Sequence, residues 1–188
     1  MKKKKIYNVI GVMTGTSMDG IDISYCATDG LNKIKIFYEK NYNYSISLQT
    51  FMKNININNI NDKITIEKNN TKITKIIISY LKKFLVEFDI PKNNIDFISL
   101  SGQTIIHIPK QKFTLQLGNP ALISEYFKLN VVSDFRIKDI LNGGQGAPIG
   151  SYYHKLLINK INSNSAIINL GGVANFSLIN NKKIISSD

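Results

Sequence analysis

Along this chain, short apolar β-type runs give way to three- and four-residue apolar spacing, and then return. Residues 6–13 (IYNVIGVM) and 21–27 (IDISYCA) are two β-type runs flanking the polar stretch Thr14-Gly-Thr-Ser-Met-Asp-Gly20. Asp29-Gly30 is a turn signal, and residues 33–44 alternate again at Ile34, Ile36 and Tyr38. The opening is therefore predicted to be an antiparallel meander. Ile46, Leu48, Phe51 and Met52 have the spacing of a short amphipathic helix, and residues 54–61 read as a loop. The clearest helix is predicted over 71–88. There Ile73, Ile76, Ile77, Tyr80, Leu81, Phe84, Leu85 and Phe88 form one stripe, Thr71 serves as cap, and Pro91 lies beyond the end.

Strands and helices then alternate. Residues 95–100 read as a buried strand running into a polar loop, Ser101-Gly-Gln-Thr104. A strand at 113–117 follows, then a helix to about 127 capped by Asn119 with Pro120 at its first position, and a strand at 130–133. A glycine-dense loop at 142–148 leads to a helix at 151–160. The last stretch has strands at 166–170, 176–179 and 183–186, the first two joined by Gly171-Gly-Val-Ala-Asn175. The alternation from residue 71 onward implies an α/β fold with partly parallel pairing. The end repeats the strand–loop–strand–turn–strand order of the beginning, which implies two related domains. The predicted division is a first lobe over 1–160 and the opening of a second over 161–188.

The loop at 14–20 invites two readings. Two glycines allow positive φ and close approach of a ligand, and successive N–H groups make a concavity for an anion. Thr14, Thr16 and Ser17 add hydroxyl donors, and Asp19 and Asp22 are hard oxygen ligands of the kind Mg²⁺ takes beside phosphate. The alternative is an ordinary hairpin turn. It is not a P-loop, since GxxxxGK[ST] is absent and no helix follows. The Ser101–Thr104 loop lies at the carboxyl end of a strand that follows a helix, where α/β proteins bind ligands.

Composition narrows the classes. With 188 residues, 43% of them hydrophobic, a core is within reach. The net charge of +11 suggests nucleic acid, but Arg136 is the single arginine and the lysines are scattered among Asn and Ile, without the Arg forks that clamp phosphates. Nucleic-acid binding is not expected. No apolar run reaches the roughly 18 residues a membrane helix needs. The MKKKK start resembles a signal sequence, yet Asn8, Gly11 and Gly15 interrupt the apolar stretch behind it. A cytoplasmic protein is expected, with the lone Cys26 a reduced core residue.

Five segments in register carry a more specific signal: GVMTGTSMDGID (11–22), SGQTIIHIP (101–109), TLQLGNPALI (114–123), VVSDFRIKDILNGGQGAPI (131–149) and INLGGVANFSLI (168–179). Together they closely resemble the anhydro-N-acetylmuramic acid kinases. The resemblance implies an actin/hexokinase/Hsp70-type fold: an actin-like ATPase (ribonuclease H-like) first lobe with a mixed sheet, plus the opening β-meander of a second lobe. It implies ATP and Mg²⁺ as cofactors. The implied reaction opens the 1,6-anhydro ring of anhydro-N-acetylmuramic acid and phosphorylates O6, in peptidoglycan recycling.

Carried over residue by residue, the family's ATP loop falls on Gly15, Thr16, Ser17, Met18, Asp19, Gly20, Ile21 and Asp22, with Asp19 toward the metal. The second phosphate loop falls on Gly171 and Gly172 with Asn175 beside them, and the catalytic aspartate on Asp188. Gln103, His107, Asn119 and Arg136 fall on the sugar side. Each of the four also has a structural reading: capping for Asn119, turn chemistry for Gln103, packing beside Pro109 for His107, and an ion pair with Asp134 or Asp139 for Arg136. One position departs from the family, which usually has His where Ser101 stands.

The resemblance covers the first half of a usual family member, and the family's TGPGN after the catalytic aspartate is absent. The expectation is a truncated, inactive kinase: a non-catalytic remnant, or one half of a split enzyme completed by a second polypeptide. Self-association as a homodimer is the other partner arrangement considered.

Overall fold

The computed structural model describes residues 5–55, 62–158, 164–170, 174–180 and 183–187. The described chain divides into two compact units, residues 1–106 with 115–134, and residues 107–114 with 135–188. The division comes earlier than residue 160 because a helix at Ser151–Ile158 packs on the strands near the end of the chain.

The first unit is built on a five-stranded sheet. Strand β1 (Tyr7–Thr14) pairs antiparallel with β2 (Gly20–Thr28), and β2 pairs antiparallel with β3 (Ile34–Asn43). On its other side β1 pairs parallel with β4 (Phe97–Leu100), which pairs parallel with β7 (Asn130–Val132). The order β3-β2-β1-β4-β7 makes a mixed parallel and antiparallel sheet, as expected. The opening meander forms because two short polar turns separate runs of alternating apolarity.

Helix α1 (Ile46–Lys53) follows β3, with Ser45 capping it through the Leu48 N–H. Helix α2 (Lys63–Glu87) makes the crossover from β3 to β4. It starts eight residues before the predicted cap at Thr71, which lies inside the helix. The N-cap is Asp62, whose carboxylate accepts the Ile64 N–H at 3.0 Å and also bonds the Thr65 hydroxyl. The first two turns carry little apolar stripe, and Ile64 is 81% exposed, so no periodicity marks them. Residues 56–61 of the predicted loop lie outside the described residues.

Ile73, Ile77, Leu81 and Phe84 of α2 are fully buried against Ile10, Val12, Ile21, Ile23, Ile98 and Leu100 of the sheet. Strand β3 is the exposed edge. A bulge at Phe37 breaks its register with β2, and two ends of α2-facing chemistry tie it down: Glu87 bonds Lys40 and accepts the Tyr42 hydroxyl at 2.8 Å. Those bonds, the Lys40 one above all, hold the Glu87 carboxyl below its ordinary value.

Strands β5 (Gln103–Ile108) and β6 (Phe113–Leu117) form a hairpin, and α3 (Pro120–Phe127) follows with Asn119 as its cap. The predicted polar loop at 101–104 is thus only Ser101-Gly102, with Gln103 and Thr104 already in β5. The second unit holds α4 (Phe135–Leu141), α5 (Ser151–Ile158) and the antiparallel meander β8 (Asn164–Asn169), β9 (Asn175–Asn180) and β10 (Lys183–Ser187). No sequence periodicity singles out α4, which is seven residues long. His154 of α5 meets the buried Ser177 hydroxyl of β9 at 2.8 Å, and Ser151 meets Ser186 of β10 at 3.0 Å. Among the described residues, no helix is long and apolar enough to cross a membrane.

Two outcomes test this packing. Phe84→Ala, which empties a fully buried site under the sheet, lowers stability by about 3–5 kcal/mol in urea denaturation. Because the folded Glu87 pKa is depressed, its stabilisation is present above the ordinary glutamate value and lost as pH falls through the lower folded value. Glu87→Gln therefore lies below the wild type in stability near neutral pH, and the gap closes on acidification below about pH 4.

Candidate functional site

The ends of β1 and β4 point the same way because the two strands are parallel. The loop leaving β1, residues 15–19, and the turn leaving β4, Ser101-Gly102, therefore emerge side by side at the carboxyl ends of central strands. Hydrogen bonds tie one to the other. The Ser101 N–H donates to the Val12 carbonyl at 3.0 Å, and the Thr14 N–H to the Ser101 hydroxyl at 3.4 Å. The Thr14 hydroxyl donates to the Gly102 carbonyl at 3.0 Å, and the Gln103 carboxamide to the Gly15 carbonyl at 3.1 Å.

Thr14 is 6% exposed and faces inward, so of the three loop hydroxyls only those of Thr16 and Ser17 lie on the exposed side. Residues 15–18 form a tight turn, with the Met18 N–H donating to the Gly15 carbonyl at 3.2 Å and Met18 at φ +57°. Met18 packs its side chain on the hydrophobic core, which anchors the turn. The Ser17 hydroxyl donates to an Asp19 carboxylate oxygen at 2.6 Å, while the Asp19 carbonyl accepts the Tyr44 N–H at 2.8 Å. Gly20 is required by closeness: a Cβ there would stand 2.7 Å from the Tyr42 carbonyl oxygen. Ile21 is fully buried, and Asp22 is exposed and accepts from Asn41 at 2.9 Å.

Asp19 and Asp22 are thus exposed carboxylates at the mouth of a hairpin whose exposed turn carries hydroxyls and backbone N–H groups. No group of three His, Cys, Asp or Glu side chains converges among the described residues. A site of one or two carboxylates completed by phosphate oxygens and water is what Mg²⁺ takes, so the carboxylates present fit that ion.

The residues read toward the sugar are spread over both units. Gln103 is wholly buried, and its Oε1 has no hydrogen-bond partner. Asn119 caps α3, accepting from Ala121 and Leu122 at 2.9 and 3.2 Å, while its own N–H donates to the buried Thr74 hydroxyl at 2.8 Å. His107 pairs with the Thr114 hydroxyl across the β5–β6 hairpin at 3.1 Å. Arg136, in α4, donates to the Gly146 carbonyl at 2.8 Å, and the Gly146 N–H donates to Asp139 at 2.7 Å. Arg136 and Asp139 thereby clasp the glycine loop from both sides. Asn175 opens β9 opposite Asn169. Gly171, Gly172 and Asp188 lie outside the described residues.

Sequence reading missed the ties made by Ser101, Thr14 and Gln103. Their one signal is polar side chains at positions that strand register makes internal.

The family described as anhydro-N-acetylmuramic acid kinase matches residues 7–188. The chain is 36% identical to an anhydro-N-acetylmuramic acid kinase of Pelagibacter ubique (strain HTCC1062), covering 98% of this chain and 52% of that protein. It is 35% identical to one of Sulfurimonas denitrificans and to one of Legionella pneumophila (strain Lens), each over 90% of this chain and 46% of the relative. The chain spans about half the length of the curated relatives it matches.

Two glycines separate fold strain from site crowding. Gly30 has φ +70° with nothing within 4 Å of a built Cβ, whereas Gly102 has φ +71° and a Cβ 2.9 Å from Gln116 Cβ. Gly30→Ala costs about 1–2 kcal/mol, the left-handed penalty alone. Gly102→Ala costs about 1–3 kcal/mol more, by overpacking. Thermal denaturation of both variants checks the order.

Proposed function

The chain belongs to the anhydro-N-acetylmuramic acid kinase family, and on that premise we propose that it is the half of such a kinase that holds the phosphates of ATP. The proposed reaction opens the 1,6-anhydro ring of anhydro-N-acetylmuramic acid and transfers a phosphoryl group to O6, giving N-acetylmuramic acid 6-phosphate. The observation that carries this reading is the tight turn at 15–18, its hydroxyls exposed and its base bonded into the ends of two central strands. A turn so tied down supports the reading of an anion-holding concavity on a rigid support.

Thr16 offers its hydroxyl and backbone N–H, and Ser17 its backbone N–H, to phosphate oxygens. Asp19 holds Mg²⁺, with Asp22 beside it, and its bond from Ser17 orients the carboxylate. When bound, Mg²⁺ supplies charge neutralisation at the transferring phosphoryl group, for which positioning matters more than covalent chemistry. Gly171, Gly172 and Asn175 form the second phosphate loop. Asp188 is the base, by its match to the family's catalytic aspartate. It takes a proton from the water that attacks the anomeric carbon, the bond from that carbon to O6 breaks, and O6 takes the γ-phosphoryl group of ATP as its bond to the departing ADP breaks. His107, Asn119 and Arg136 bind the sugar. Arg136 has the planar fork that suits the lactyl carboxylate, and Asp139 presets the Gly146 loop it lies on.

Since the relatives are about twice as long, turnover is proposed for this chain together with the remaining half. The chain is assayed with ATP, Mg²⁺ and 1,6-anhydro-N-acetylmuramic acid, alone and mixed with the separately produced second half of the Pelagibacter ubique relative. Sugar phosphate forms in the mixture and is lost with Asp188→Asn. Absence of product in the mixture, with both halves folded and associated, would sink the reading.

A further inference from the structure

We propose that Gln103 is the positioning residue of the phosphate loop: its carboxamide holds the Gly15–Thr16 peptide so that the Thr16 N–H faces out toward the anion. This rests on the phosphate-loop reading above and adds a residue that acts through the backbone.

Gln103 is 0% exposed, and its Nε2 donates to the Gly15 carbonyl at 3.1 Å and toward the Thr104 carbonyl at 3.4 Å. Both partners are carbonyl oxygens, so the opposite amide orientation would set Oε1 against two acceptors; the partners therefore decide the orientation. The Gly15 carbonyl also accepts the Met18 N–H. With two donors it is held inward. In a trans peptide the N–H and C=O of one unit point in opposite directions. Fixing the Gly15 carbonyl inward thus aims the Thr16 N–H outward, on the exposed side of the turn.

The Oε1 of the same carboxamide is buried with no hydrogen-bond partner. A buried polar group left half satisfied opposes stability, so this glutamine is not explained as a packing residue. Gln103 begins β5 directly after Gly102, whose positive φ and lack of a Cβ let the chain turn tightly enough to bring the carboxamide under the loop. The Thr14 hydroxyl bond to the Gly102 carbonyl fixes the same turn from the β1 side. The loop and its support are thereby locked at adjoining residues.

The test is ¹⁵N NMR of the whole chain, with and without MgATP, for wild type, Gln103→Met and Gln103→Glu. In the ligand-free wild type, slowed exchange of the Gln103 side-chain amide and its cross-relaxation with Gly15 protons are expected. In Gln103→Met the Thr16 amide resonance moves, the changes stay within residues 14–20 and 101–104, and MgATP affinity falls by about tenfold, as for one charge-assisted hydrogen bond. If wild type shows no MgATP response at 15–20, the phosphate reading fails for this chain, and the ligand-free spectra alone judge the latch. If Gln103→Met does not fold, the wild-type amide measurement and Gln103→Glu, which places a carboxylate oxygen against the Gly15 carbonyl, decide it. The proposal is overturned if the Gln103 amide exchanges freely, or if Thr16 is unmoved in a folded variant. It is equally overturned if the Gln103 amide responds to 1,6-anhydro-N-acetylmuramic acid and not to the state of the loop.

Discussion

Pairing of β1 on both its edges is the constraint from which the rest of this structure follows. Antiparallel pairing with β2 makes the loop at 15–19 a hairpin turn, and parallel pairing with β4 brings a second turn to the same end of the sheet. The parallel pair needs a crossover, and α2 supplies it while covering the sheet with Ile73, Ile77, Leu81 and Phe84. Thr14, the last residue of β1, lies on the buried face with Ile10 and Val12, so its hydroxyl must find a partner, and it does so in the neighbouring turn.

The site inherits its rigidity from that arrangement. A turn at the tip of an ordinary hairpin would be free to flex. Here Met18 packs into the core, Tyr44 holds the Asp19 backbone, and the Ser101-Gly102 turn holds Thr14. Ser101 takes part in this bonding, its hydroxyl accepting the Thr14 N–H.

The second unit holds a three-strand antiparallel meander backed by α5 through His154–Ser177 and Ser151–Ser186. The glycine loop at 142–148 is ordered by Arg136 and Asp139 acting on Gly146, and that explains two of the four charged residues that follow β7.

By itself the sequence determined the three strands of the opening meander, the stripe of α2 from Ile73 on, the Asn119 cap and the five family segments. Each is local: alternation, helical spacing, capping and motif order are written over neighbouring residues. The start of α2 at Lys63 was not legible, since its first turns carry little apolar stripe, with Ile66 packed on the core and Asp62 as the cap. Nor was α4, which is too short to show a period. Only the tertiary structure decided what Thr14, Ser101 and Gln103 do, because their partners lie 87 or 88 residues away in sequence. Strand register brings those partners together, and register between β1 and β4 is a property of the folded sheet, not of either segment alone.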